Sequence, residues 1–230
     1  MIALIFDTET TGLIPKDSFK HNSSDDEIKK ILPYIVQLSY ILYDLETMTL
    51  LEEYDTIVRI DDDVEISPGA LKTHGITKQM TSEKGVPVKV ALDKIMDAYN
   101  RSDVVVAHNI EYDETLVQVE LLRRGVKRDE LKDTFSHLSK EFYCTMKNGK
   151  ALCNIQVITQ VGKVINKYVK YPTLCELHCK MFGVEPMNLH NSYFDILVCL
   201  RCYLQMTKKI DLCHQNEYVD EIFKSKLIPV

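Results

Sequence analysis

Two carboxylates, Asp7 and Glu9, stand one residue apart at the end of the apolar run Ile2-Ala3-Leu4-Ile5-Phe6 and are followed by Thr10-Thr11-Gly12. In an extended chain, residues two apart face the same side, so both carboxylates can address one point. Clustered carboxylate oxygens suit a hard divalent cation such as Mg²⁺. Gly12 lets the backbone turn tightly where a ligand approaches. The spacing Asp-x-Glu recurs at Asp25/Glu27, Asp44/Glu46 and Asp63/Glu65. Those three pairs lie in polar, turn-like surroundings and read as solvated acids. Only the first follows a buried strand.

Two further acids sit near histidines. Asp113 follows His108-Asn109 and lies early in a helical pattern, where an acid is favoured by the helix dipole whatever its function. Asp195 follows His190 by five residues. Five residues along a helix turn the direction by about 140°, so the two do not share a face if both are helical. If His190 precedes the helix and Asn191 or Ser192 caps it, the imidazole can fold back over Asp195. The His-x₄-Asp spacing also occurs at His21/Asp26 and His108/Asp113, so spacing alone decides nothing.

The elements that must position these groups alternate in type. Ile2–Phe6 reads as a buried strand, and residues 14–33 read as a polar loop insertion. Tyr34–Tyr43 and Leu50–Ile60 are β-branched and aromatic and read as strands joined by a turn at Asp44–Thr47, which extends the first strand into an antiparallel meander. Val88–Tyr99 then reads as a helix, Val104–Ala107 as a buried strand, Ile110–Arg124 as a helix ended by Gly125, and Phe142–Cys144 as a fifth strand. Leu174–Phe182 and Ser192–Met206 read as helices. A meander followed by strand–helix–strand units is an α/β fold with a mixed sheet. Residues 208–230 read as a polar C-terminal tail with a last apolar piece, which leaves 1–207 as the main domain.

The joint order of these signals is far more specific than any one of them. The stretches Phe6-Asp7-Thr8-Glu9-Thr10-Thr11-Gly12, Ala107-His108-Asn109-Ile110-Glu111-Tyr112-Asp113 and His190-Asn191-Ser192-Tyr193-Phe194-Asp195 together resemble the DEDDh subgroup of the DnaQ-like 3′→5′ exonucleases. His74-Gly75-Ile76-Thr77 also resembles a segment common in that family. The resemblance covers about residues 1–207. It implies an RNase H-like fold with a five-stranded mixed sheet flanked by helices. It implies that Asp7, Glu9, Asp113 and Asp195 hold two Mg²⁺ or Mn²⁺ ions and that His190 is the general base. It further implies that Thr10, Thr11 and Gly12 meet the terminal sugar and that Leu13 packs against a base. His108 and Asn109 border the cleft or cap the Asp113 helix. Members often carry small residues where this chain has Tyr193 and Phe194.

Composition narrows the class. The chain has 230 residues, 45% of them hydrophobic and 27% charged, as expected of a globular protein. No apolar run is long enough to span a bilayer. The N-terminus lacks the basic flank and small-residue cleavage site of a signal peptide. Seven cysteines without a scaffold spacing suggest reduced thiols in a cytoplasmic or nuclear compartment. Cys175, His178, Cys179, Cys199 and Cys202 invite a zinc reading, but Cys199 and Cys202 lie in an apolar helical run, where thiols act as small hydrophobes. The net charge of −6 is uneven, with twelve Lys/Arg against six Asp/Glu in residues 120–180. That window is either a solvated surface or a track for phosphates beside the acidic site. The expected partners are DNA or RNA 3′ ends, with a polymerase or replication complex as a candidate. DNA processing, RNA trimming and a non-catalytic polymerase-associated binding module all remain compatible with the sequence.

Overall fold

A computed structural model of the chain describes residues 1–16, 24–134, 140–161 and 164–228. Three antiparallel strands open the fold: β1 (Ile2–Thr10), β2 (Ile35–Asp44) and β3 (Thr49–Arg59), with a short helix α1 (Asp25–Ile31) between β1 and β2. Two short helices, α2 (Pro68–His74) and α3 (Lys78–Lys84), lead to a two-residue edge strand β4 (Val86–Pro87). The chain then alternates: α4 (Val88–Arg101), β5 (Val104–Ala107), α5 (Ile110–Arg123), α6 (Arg128–Thr134), β6 (Glu141–Cys144) and α7 (Thr145–Cys153). A separate hairpin, β7 (Gln156–Val161) and β8 (Val164–Val169), precedes α8 (Leu174–Phe182), α9 (Ser192–Lys208) and α10 (Glu217–Ile222).

The main sheet has the order β4-β3-β2-β1-β5-β6, with β5 parallel to β1 and β6 parallel to β5. The expected five-stranded mixed sheet is therefore present, with Val86–Pro87 added at one edge. Strand β1 is buried on both faces, which explains its unbroken apolar run. Its pleat sends Leu4 and Phe6 into a core shared with α4 and α5, and Ala3 and Ile5 into a second core shared with α8 and α9. Between β1 and β5 the direction of chain progression across the sheet reverses, and open α/β sheets form ligand crevices at the strand ends beside such a point.

Two segments differ from expectation. Within 14–33, read as a loop, Asp25–Ile31 is helical because Ser24 and Glu27 form a reciprocal capping box, and Ile28 and Leu32 enter the core. The segment 208–230, read as a polar tail, contributes Leu212, Val219, Phe223 and Leu227 to the α9 core, each fully buried. Its apolar residues are spaced around a short 3-10 turn, α10 and a π turn, so no single helical period exposes them in the sequence. The strap is pinned by Asp211, whose two oxygens accept from Arg201 Nε and Nη2 at 2.7 Å each. Arg201 in turn lies 4.0 Å from the ring centre of Phe182 and 4.8 Å from that of Phe223. His178 sits in the same cluster. Its Nε2 lies 3.2 Å from Arg201 Nη1 and its Nδ1 2.9 Å from the Val184 carbonyl, so it works here as a packing residue.

Candidate active site

The pleat that divides the core also builds the site. Odd positions of β1 face α9, so Asp7 and Glu9 point at the helix that carries Asp195. Ligand oxygens of Asp7, Glu9 and Asp195 all lie within 4.8 Å of one another. Thr8, facing the other way, grips Asp113 of α5 twice: its N–H donates to Oδ1 at 3.0 Å and its hydroxyl to the same atom at 2.7 Å. Asp113 is thus oriented by the strand that carries Asp7 and Glu9. A bulge between Glu9 and Thr10 ends the regular pairing with β2 just past the acids.

The start of α9 is fixed to the sheet. Ser192 and Ser39 hydroxyls meet at 2.6 Å, and the Ser192 N–H donates to Gln37 Oε1 at 3.4 Å. Asn191 caps the helix by accepting from the Tyr193 N–H, and His190 precedes it with φ +69°. The His190 N–H donates to Asp195 Oδ2 at 2.9 Å. Of the two arrangements open in the sequence, the structure has the one with His190 outside the helix. Tyr193 and Phe194 turn away from the acids: the Tyr193 hydroxyl meets Glu53 and Tyr218, and Phe194 packs into the α9 core.

Asp7, Glu9, His108, Asn109, Asp113, His190 and Asp195 all line one cleft of about 520 Å³. A second cleft of about 660 Å³ adjoins it across Glu9 and Tyr112, and Thr10, Gly12, Leu13, His74 and Asn109 line it. Leu13 projects there with 85% of its surface exposed. Thr11 lines neither cleft. Its hydroxyl accepts from the Tyr34 N–H and its own N–H donates to the Tyr34 carbonyl, so it holds the turn that follows β1. Asn109 occupies the N-cap position of α5 in the left-handed conformation without a side-chain cap bond, which leaves its amide for the clefts. His108 is held at both ring nitrogens, by Thr145 Oγ1 and the Pro172 carbonyl. Burial pushes it down to about 4, so it is a neutral brace between α7 and the segment before α8.

The acids are strongly perturbed. Burial, then the charges of Asp113, Asp195 and Glu9, hold Asp7 well above the usual carboxylate range. Glu9 is pushed up to about 8, first by burial and then by Asp195 and Asp113. Asp113 and Asp195 are also raised by burial, against the hydrogen bonds from Thr8 and from the His190 N–H respectively. Converging, partly desolvated oxygens that repel one another are the donor set a hard divalent cation stabilises, so the residues fit such an ion.

Tyr112 and His74 were not singled out as site residues in the sequence. Tyr112 donates to the Gly12 carbonyl at 2.9 Å and lies 3.1 Å from Thr10 Oγ1, so it shapes the wall between the clefts. In the sequence Tyr112 reads as one of the apolar positions of the Ile110–Arg124 helix. His74 accepts the Ile76 N–H at Nδ1 and places Nε2 3.1 Å from the Thr10 carbonyl. Its only signal was the His-Gly-Ile-Thr segment.

A family model described as RNase T-type exonuclease matches residues 4–203. The chain belongs to this exonuclease family. Its architecture is the RNase H-like α/β fold of the exonuclease I structures. A complex of E. coli Exonuclease I with a dT13 oligonucleotide superposes with a TM-score of 0.64 at 16% identity, over 96% of this chain and 43% of that one. Exonuclease I from Methylocaldum szegediense gives 0.63 at 15% identity, over 97% and 45%. The chain therefore spans less than half the length of these proteins. Sequence comparison with curated proteins gives no significant match. Among the described residues no helix is long and apolar enough to cross a membrane.

Proposed function

We propose that this exonuclease is of the DEDDh type and acts 3′→5′, releasing nucleoside 5′-monophosphates from single-stranded or frayed DNA ends. The observation that carries the reading is the meeting of Asp7, Glu9, Asp113, Asp195 and His190 in one cleft, from β1, α5, α9 and the turn just before α9. The four carboxylates would hold two Mg²⁺ or Mn²⁺ ions, which neutralise the phosphodiester charge and activate the attacking water. The chain's own groups do the rest. His190 stands at the exposed rim, where its imidazole can take the proton of the attacking water. Thr8 keeps Asp113 aimed, and the His190 N–H keeps Asp195 aimed. The adjoining cleft accepts the terminal nucleoside, with the turn at Thr10–Gly12 beside its sugar and exposed Leu13 against a base. A terminal nucleotide must leave its partner to enter, which favours unpaired ends. DNA is favoured over RNA by the likeness to structures holding dT13 and dA16 oligonucleotides, which are statements about those proteins.

The test is digestion of 5′-labelled single- and double-stranded DNA and RNA with Mg²⁺, Mn²⁺ or EDTA. Stepwise shortening of single-stranded DNA in metal and none in EDTA is expected. Faster cutting of RNA would move the assignment to RNA trimming, and faster cutting of blunt duplexes would refute the preference for unpaired ends. No cutting by metal-loaded protein would leave the binding-module reading.

A further inference from the structure

The sequence from Phe142 to Cys175 contains five lysines and no aspartate or glutamate, in a chain whose net charge is −6. The described residues of this stretch form the end of β6, α7, the β7–β8 hairpin and the segment that enters α8. Four observations connect them. Met146 and Tyr171 line the cleft that holds the acids. Lys150 Nζ lies 4.4 Å from the centre of the Tyr171 ring, which is half exposed. Lys147, Lys150, Ala151, Asn154 and Val169 line a further groove of about 490 Å³. In the hairpin register Ile158 pairs with Lys167 and Gln160 with Ile165, so all four share the face that carries Val169. Ile158 and Ile165 are 64% and 60% exposed.

Among the described residues the strands of this ribbon pair only with each other, and the fold does not explain a ribbon that leaves Ile158 and Ile165 in water. We propose that α7 and this hairpin face form a track for the single strand of nucleic acid that continues 5′ of the scissile phosphate. The inference rests on the exonuclease reading for its direction. Lysines without a neighbouring acid on their own elements suit a polyanion. An exposed tyrosine ring and aliphatic side chains suit the faces of bases, which a duplex hides and a single strand offers. The track begins at Tyr171, inside the catalytic cleft, so a strand lying on it arrives at the acids. Lys147 now pairs with Glu111 and Lys170 with Glu176, both on other elements, and exchange of those carboxylates for phosphates is part of binding.

The experiment is fluorescence anisotropy in EDTA, with labelled single strands of about 4 and about 20 nucleotides, on the full chain and on Lys150→Gln/Lys167→Gln. The longer strand should bind the variant about 10- to 30-fold more weakly at 0.1 M salt, and the slope of log affinity against log salt should fall by about 1.4, as for two lost phosphate contacts. The shorter strand should lose less than about twofold, and Lys150→Arg/Lys167→Arg should restore the longer strand. Unchanged affinity and slope would overturn the track. So would an equal loss for both lengths, which would place these lysines at the cleft itself, or tighter binding of a blunt duplex than of the single strand. Hydrolysis of the p-nitrophenyl ester of thymidine 5′-monophosphate by wild type in Mg²⁺ checks the active site separately. Its failure would sink the exonuclease reading while the binding result stood.

Discussion

The main-chain N–H of His190 donates to the carboxylate of Asp195 across five residues, at 2.9 Å. One bond therefore does two things: it aims an acid of the metal cluster, and it holds the backbone of the histidine in the left-handed conformation, with the ring at the rim. Because the bond belongs to the backbone, the ring can be removed without releasing Asp195.

That separation makes His190→Ala informative. Its kcat should fall by about 10²–10⁴, the usual worth of a positioned acid–base group. Substrate affinity and the Mg²⁺-induced gain in melting temperature should both stay near wild type. Steady-state kinetics and paired melts test this. A variant that keeps its rate and loses binding would make His190 a substrate contact.

Asp7 should behave differently. Removing its charge relieves repulsion among buried acids, so Asp7→Asn should melt higher than wild type in EDTA and lose its activity. Mg²⁺ at 10 mM against a dissociation constant near 1 mM stabilises wild type by about 1.4 kcal/mol per site, or roughly 3–6 °C. That gain should shrink in Asp7→Asn. An undiminished Mg²⁺ shift would place the ion elsewhere.

The same acids set a pH dependence. Burial raises Asp7, Glu9, Asp113 and Asp195, and the neighbouring acids raise Asp7, Glu9 and Asp195 further, with Glu9 at about 8. A raised acid holds its proton longer when folded than when unfolded. The metal-free fold therefore binds more protons than the unfolded chain between about pH 4 and pH 8, and these groups lower its stability as pH rises through that window. Between pH 5 and pH 8.5 in EDTA, wild type should lose more melting temperature than Glu9→Gln, by about 2–4 °C for each kcal/mol of relieved cost. With Mg²⁺ the difference should narrow, because ligation needs the ionised carboxylates. Identical pH profiles for the two proteins would contradict the raised value of Glu9.

The Arg201–Asp211 pair predicts a purely structural phenotype. Asp211→Ala leaves a buried guanidinium between Phe182 and Phe223 without its carboxylate, which should cost about 3–5 kcal/mol. The melting temperature should drop by roughly 6–20 °C. Arg201→Met/Asp211→Leu should be milder, because no charge is stranded. A single variant no worse than the double would show the pair to be solvated.

Much of the scaffold was legible because β1, β2, β3, α4, β5, α5, α8 and α9 each carry their own period or an unbroken apolar run. The order of Asp7, Glu9, Asp113, His190 and Asp195 was legible as a joint pattern. Their convergence was not, because it depends on the pleat of β1 and on which side of the sheet each helix packs. Thr8 shows the limit: between two acids it reads as a spacer, and only the packing of α5 makes it the residue that aims Asp113. The β7–β8 hairpin is not legible because its apolar residues come as adjacent pairs, Val157-Ile158, Val164-Ile165 and Tyr168-Val169, so neither strand shows the alternation of a half-buried strand, and no turn signal of the Asn-Gly kind joins them. Helix α1 escaped because its cap is local and its surroundings are polar.

The strap that follows α9 also reaches the catalytic rim. The Met187 N–H donates to the Leu227 carbonyl and Asn188 Nδ2 to the Lys226 carbonyl, so the last described residues brace the chain just before His190. On the ribosome, all five residues of the site leave the exit tunnel before the turn that braces them. A nascent chain stalled with residues 1–207 outside the tunnel should carry every acid and the histidine, expose the apolar side of α9 that Phe223 and Leu227 cover, and cut no nucleic acid. Activity would appear only once Leu227 has emerged. Digestion assays on stalled and released chains would show this timing, and full activity in the stalled chain would disprove it.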